Sequence, residues 1–128
     1  MTVQDTIPSA VHLKFAELGQ AIETKVHSLF LPSKATFQKE TATRFSVIRM
    51  EDRSSSLNVE LEDDLQSIRV TLNETTFQFG IGTTDDGEIC LFYGTEKISV
   101  AEAVGELLSS FLLKGFFKSR WFGTRTHH

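Results

Sequence analysis

At 128 residues the chain has the length of one domain, enough to enclose a single hydrophobic core. A hydrophobic share of 40%, a charged share of 23% and only two prolines exclude collagen, low-complexity disorder and a disulfide-knotted miniprotein. The net charge of −4 argues against general nucleic-acid binding, and a single cysteine, Cys90, leaves no internal disulfide to form.

The opening residues, MTVQDTIPSAV, lack the basic and apolar regions of a signal peptide. No run approaches the roughly 18 apolar residues that span a bilayer. The lone cysteine fits a reducing compartment, so the expected setting is the cytoplasm.

In chain order, Val11, Phe15, Leu18, Ile22, Val26 and Leu29 recur at spacings of three and four, which predicts a helix over about 9–30. Thr6 or Ser9 is positioned to cap it, and Leu31-Pro32-Ser33 must end it, because proline disfavours a helical residue before it. Gly19, inside the helix, costs about 1 kcal/mol against alanine and marks a possible close approach to the sheet.

The period then switches to two. Strands are expected at about 43–51, 56–62, 67–72, 76–82 and 88–93, joined as an antiparallel meander. A turn at Asp63–Gln66 would set Leu61 opposite Ile68, Val59 opposite Val70 and Leu57 opposite Leu72, with Glu60 facing Arg69 on the outer side. Turns at Asn73–Thr76 and Thr83–Gly87 would set Leu72 opposite Phe77 and Ile81 opposite Ile89. Asn58, Glu60, Arg69, Thr71 and Gln78 make the outer face mostly polar, as an antiparallel sheet with one solvated face allows.

Ser99-Val100-Ala101-Glu102 is a capping box, followed by the helical stripe Val104, Leu107, Leu108, Phe111 and Leu112. A second helix is therefore expected over about 99–114. The whole reads as one α+β domain over 1–128: an N-terminal helix, a five-stranded antiparallel meander and a C-terminal helix, both helices on one sheet face. Small chaperone-like and adaptor folds share that layout, an analogy of architecture that fixes no function.

Charge is unevenly spread. Residues 51–88 hold ten acids and two bases, whereas 112–128 hold four bases and no acid. Glu62, Asp63, Asp64, Asp85, Asp86 and Glu88 would gather at one sheet edge as an acidic patch. Their spacing lacks the D-x-D-x-D-G pattern of a hard-cation loop, and Asp85-Asp86-Gly87 is also ordinary turn chemistry, so no metal is expected.

Catalytic signatures are absent: there is no G-x-S-x-G, phosphate loop or dinucleotide fingerprint. Cys90 sits between Ile89 and Leu91, the setting of a structural thiol rather than a nucleophile. His12 and His27 are fifteen residues apart on one helix, over about 20 Å, and cannot share a metal. His127-His128 close the chain without a partner motif. No cofactor is expected, and the chain is not expected to be an enzyme.

The tail FLLKGFFKSRWFGTRTHH is the most distinctive run. Phe117, Trp121 and Phe122, ringed by Lys118 and Arg120, are candidate partner-binding anchors, since Trp and Arg are enriched at binding hot spots. The final helix is expected to run back towards the acidic turns, so that internal packing of the tail beside them competes with binding.

The leading expectation is a non-catalytic protein-binding module, a small adaptor, chaperone-like protein or inhibitor. Its partner would be another protein or a second copy of itself. The alternatives are a protein held on an anionic membrane surface by its tail, and a small-ligand binder or enzyme with a pocket between helix and sheet.

Overall fold

A computed structural model describes residues 3–50, 56–72 and 75–112. Helix α1 spans Val3–Leu29. It begins ahead of the expected caps at Thr6 and Ser9 and takes in Pro8, which withholds one backbone donor there. Five of the six residues of its apolar stripe, Val11, Phe15, Leu18, Ile22 and Val26, are at most 3% exposed, whereas Leu29 in its last turn is exposed.

Seven strands follow, not five: β1 Ala35–Thr41, β2 Arg44–Arg49, β3 Ser56–Leu61, β4 Ser67–Leu72, β5 Thr75–Thr83, β6 Ile89–Tyr93 and β7 Glu96–Ile98. Their spatial order is their chain order, an antiparallel meander throughout. Helix α2, Val100–Leu112, closes the α+β arrangement. Its capping box is formed: the Glu102 amide donates to Ser99 Oγ and the Ser99 amide to Glu102 Oε1, both at 3.0 Å.

The β3–β4 register is the one the sequence implies, with Leu61 opposite Ile68, Val59 opposite Val70 and Glu60 opposite Arg69. The next two registers are each displaced by two residues. Leu72 faces Thr75 rather than Phe77, because β5 starts earlier and its connection to β4 is shorter. Ile81 faces Leu91 rather than Ile89, because Asp85, Asp86 and Gly87 close a three-residue loop. In that loop Gly87 N–H donates to Thr84 O at 2.9 Å, Thr84 N–H to Glu88 O at 2.8 Å, and Gly87 takes φ +86°.

Leu57, Val59, Leu61, Ile68, Val70, Leu72, Phe77, Phe79, Ile81 and Leu91 still share the apolar face. With the buried stripes of α1 and α2 they form one hydrophobic cluster. Gly19 permits the close approach: a Cβ there would lie 2.9 Å from Phe45 Cε1, in a ring held beside Phe15 and Phe37.

β7 has a directional consequence. One additional strand reverses the chain, so α2 runs away from the 62–66 and 84–88 turns rather than towards them. Its last turn lies beside the far end of β2, where Arg49 Nη2 donates to Phe111 O at 2.8 Å. The guanidinium also stands 4.8 Å from the Phe111 ring centroid, and Phe30 meets that ring edge-on at 5.8 Å. The expectation that the tail leaves α2 near the acidic turns is therefore overturned.

Candidate functional site

Strand alternation puts the β3–β4 and β5–β6 turns at the same end of the sheet. Their carboxylates divide into two locally engaged sets. Glu62 pairs with Arg69 at 2.7 Å and accepts from Gln78 Nε2 at 3.4 Å. Asp64 accepts from the Gln66 amide at 2.9 Å, and Leu65 beside it takes φ +58°. In the second set Asp86 accepts from the Thr84 hydroxyl and, at 3.4 Å, from the Glu88 amide. Those bonds hold its carboxyl below the usual range, the hydroxyl contributing most. Glu88 accepts from Cys90 Sγ at 3.4 Å and pairs with Lys97 at 3.5 Å. Asp63 and Asp85 stand exposed in the two turns.

Among the described residues no group of three or more His, Cys, Asp or Glu side chains is placed to hold a metal ion. His12 and His27 are both exposed. Cys90 is 5% exposed, and burial, then the Glu88 carboxylate, pushes its thiol up. A thiol so shifted is protonated near neutrality, the opposite of an activated nucleophile.

Two depressions flank α1. A cleft of about 260 Å³ lies between α1 and the β1–β2 hairpin, walled by Phe15, Phe37 and Phe45, with Glu23 and Lys39 among its polar lining residues. A wider groove of about 620 Å³ runs between the helices, lined by Ala21 and Thr24 of α1 and Val100, Ala101, Val104 and Gly105 of α2. Sequence reasoning placed a pocket between helix and sheet but missed this second groove. Its only sequence signal is the run of small residues Ala101 and Gly105 on the flank of the α2 stripe.

The end opposite the acidic turns has a different character. Arg49 is 8% exposed, and its Nε has no hydrogen-bond partner among the described residues. Leu29 and Leu31, at the α1–β1 corner, are 45% and 68% exposed. The anchors Phe117, Lys118, Arg120, Trp121 and Phe122 lie outside the described residues. The described residues end with α2, whose last turn is clamped by Arg49. No helix among the described residues is long and apolar enough to cross a membrane.

Comparison of the chain with protein-family models, with curated proteins and with solved structures returns no match.

Proposed function

We propose that the protein is a non-catalytic protein-binding module of the cytoplasm, an adaptor, chaperone-like protein or inhibitor, anchored on its partner by Phe117, Lys118, Arg120, Trp121 and Phe122. The observation that carries this reading is the Arg49–Phe111 clamp. It sets the last turn of α2 at the pole away from the acidic turns and near exposed Leu29 and Leu31, which supports a binding end there. The complementary partner surface is an apolar pocket rimmed by carboxylates, since desolvated aromatic anchors supply binding energy while Lys and Arg steer the encounter.

A photo-cross-linking residue at Ser119 in the native cell would identify the contacted protein, and calorimetry with that purified protein would then give the affinity. Trp121→Ala is expected to weaken binding by about 30-fold or more, the effect of losing a hot-spot aromatic. Unchanged affinity, or binding seen only with anionic vesicles, would overturn the reading.

A further inference from the structure

We propose that the outer edge of β1 is a docking strand for an extended peptide of a partner protein, one that carries an acidic residue and, two positions later, a large apolar residue. The proposal draws on none of the anchor residues of the reading above and stands or falls separately.

The backbone defines the edge. β1 is an outermost strand of the sheet, and no strand among the described residues pairs with its other side. Along an antiparallel ladder, residues alternate between bonding the neighbouring strand and facing away from it. Met50 N–H donates to Lys34 O at 2.8 Å, so Lys34, Thr36 and Gln38 are the residues whose main-chain groups face β2. Those of Ala35, Phe37 and Lys39 face outwards. The Ala35 amide donates to Leu31 O at 3.2 Å, which leaves Phe37 and Lys39 as the open positions. β7, at the opposite edge, is only three residues long, whereas β1 has seven residues and no proline. Such an edge is a template for another strand.

Side chains define what the added strand must carry. Phe37 and Lys39 lie opposite Val47 and Phe45, both buried in the core, so they stand on the helix-covered face. A strand paired to β1 places the residues opposite them on that same face. There the cleft of about 260 Å³ runs between α1 and the hairpin. The Phe45 ring lies 4.9 Å from that of Phe15 and 5.5 Å from that of Phe37, and Gly19 adds no side chain to fill the space. An apolar side chain opposite Phe37 enters this cleft.

Charge selects a peptide over a second copy. Lys39 is exposed and forms no ion pair among the described residues. An acidic side chain opposite it supplies the missing partner. Antiparallel pairing with a second copy, centred on Phe37 or Gln38, sets Lys39 against Ala35 or Phe37 of that copy and no carboxylate. A lysine on the inward face of an edge strand is a device against such self-pairing. In the antiparallel sense the peptide therefore reads acid, any residue, apolar.

Random heptapeptides displayed on phage and selected on the immobilised full chain are the probe. Enriched sequences are expected to carry Asp or Glu two positions ahead of Phe, Leu, Ile or Trp. In the free monomer the Phe37 and Lys39 amides should exchange rapidly while those of Thr36 and Gln38 are protected. A synthesised enriched peptide at saturation should slow exchange at Phe37 and Lys39 by about tenfold or more. Lys39→Ala is expected to weaken that peptide about two- to fivefold, the worth of an exposed ion pair. Lys39→Pro should abolish its binding, because it also removes an outward amide. It should keep its far-ultraviolet circular dichroism and cooperative unfolding, since that amide makes no bond to β2. Lys39→Glu should turn the selected charge from acid to base.

Failure to enrich the pattern would overturn the proposal, as would peptide binding that leaves the Phe37 and Lys39 amides unchanged. Equal losses in Lys39→Ala and Lys39→Pro would remove the backbone pairing. Edge amides already protected in the free monomer would mean that the chain covers its own edge. Protection that grows with protein concentration would make a second copy the occupant, and either result ends the proposal.

Discussion

Leu65 and Cys90 show how much single residues hide from a pattern. Leu65 takes φ +58°, a region L-residues avoid, while its side chain packs against the core. The Asp64 side chain accepting from the Gln66 amide stabilises the bend locally, and nothing in the letter Leu announces it. Cys90 is the buried thiol its neighbours imply, and on the outer face Glu88 accepts a hydrogen bond from it, a partner the strand pattern does not show.

The native state thus holds the Cys90 proton more tightly than the unfolded chain does. The associated stability is present below the ordinary thiol pKa and declines as pH rises above it. Alkylation by iodoacetamide should consequently be slower at mildly alkaline pH than for a free thiol. Glu88→Gln is expected to move the rate profile to lower pH without making it ordinary, because burial is the larger cause and persists. An unmoved profile would remove Glu88 from the explanation.

At the scale of elements, the sequence carried faces better than registers. A two-residue slip keeps every side chain on its own face, so alternation alone cannot detect it. The β3–β4 pairing was legible because four loop residues fixed it. The displaced pairings depended on loop lengths that the letters left open. β1 escaped notice because most of its residues are exposed and its alternation fails after Phe37; β7, three residues long, has no period at all.

The glycine at position 19 has its cause in the Phe45 ring. Gly19→Ala gains about 1 kcal/mol of helix propensity but drives a methyl into the Phe45 ring, an overpacking that costs about 1–3 kcal/mol. The expected sum is a destabilisation of about 1 kcal/mol in urea unfolding. Combining it with Phe45→Leu should show favourable coupling in a double-mutant cycle. A stabilised single variant would mean that the ring yields freely.

For the whole molecule, the decisive residue is Arg49, whose role was not legible because its partner is 62 positions away. It joins the end of β2 to the end of α2. Arg49→Ala is expected to cost about 2–4 kcal/mol, through lost packing on Phe111 and an unsatisfied carbonyl. Arg49→Met should cost less, since it keeps the apolar stem and removes a charge buried without a carboxylate among the described residues. In both variants hydrogen exchange should rise first in the last turn of α2; uniform acceleration across the sheet would refute the clamp. Of the candidate site, the anchor residue types and the acidic turns were readable. The pole from which the tail departs was not, because one unseen strand inverted it.

Sheet order that follows chain order also sets the timetable of synthesis. Each hairpin pairs with the one just made, so the strands can assemble as they leave the ribosome. Helix α1 is different. It emerges ahead of every strand, yet it rests against β1, β6 and α2, the last of which is completed only at residue 112. A 27-residue helix with a sticky apolar stripe therefore finds β1 at once but must wait for β6 and α2 before that stripe is covered. That interval, rather than the finished fold, is when the nascent chain most needs shielding from its neighbours.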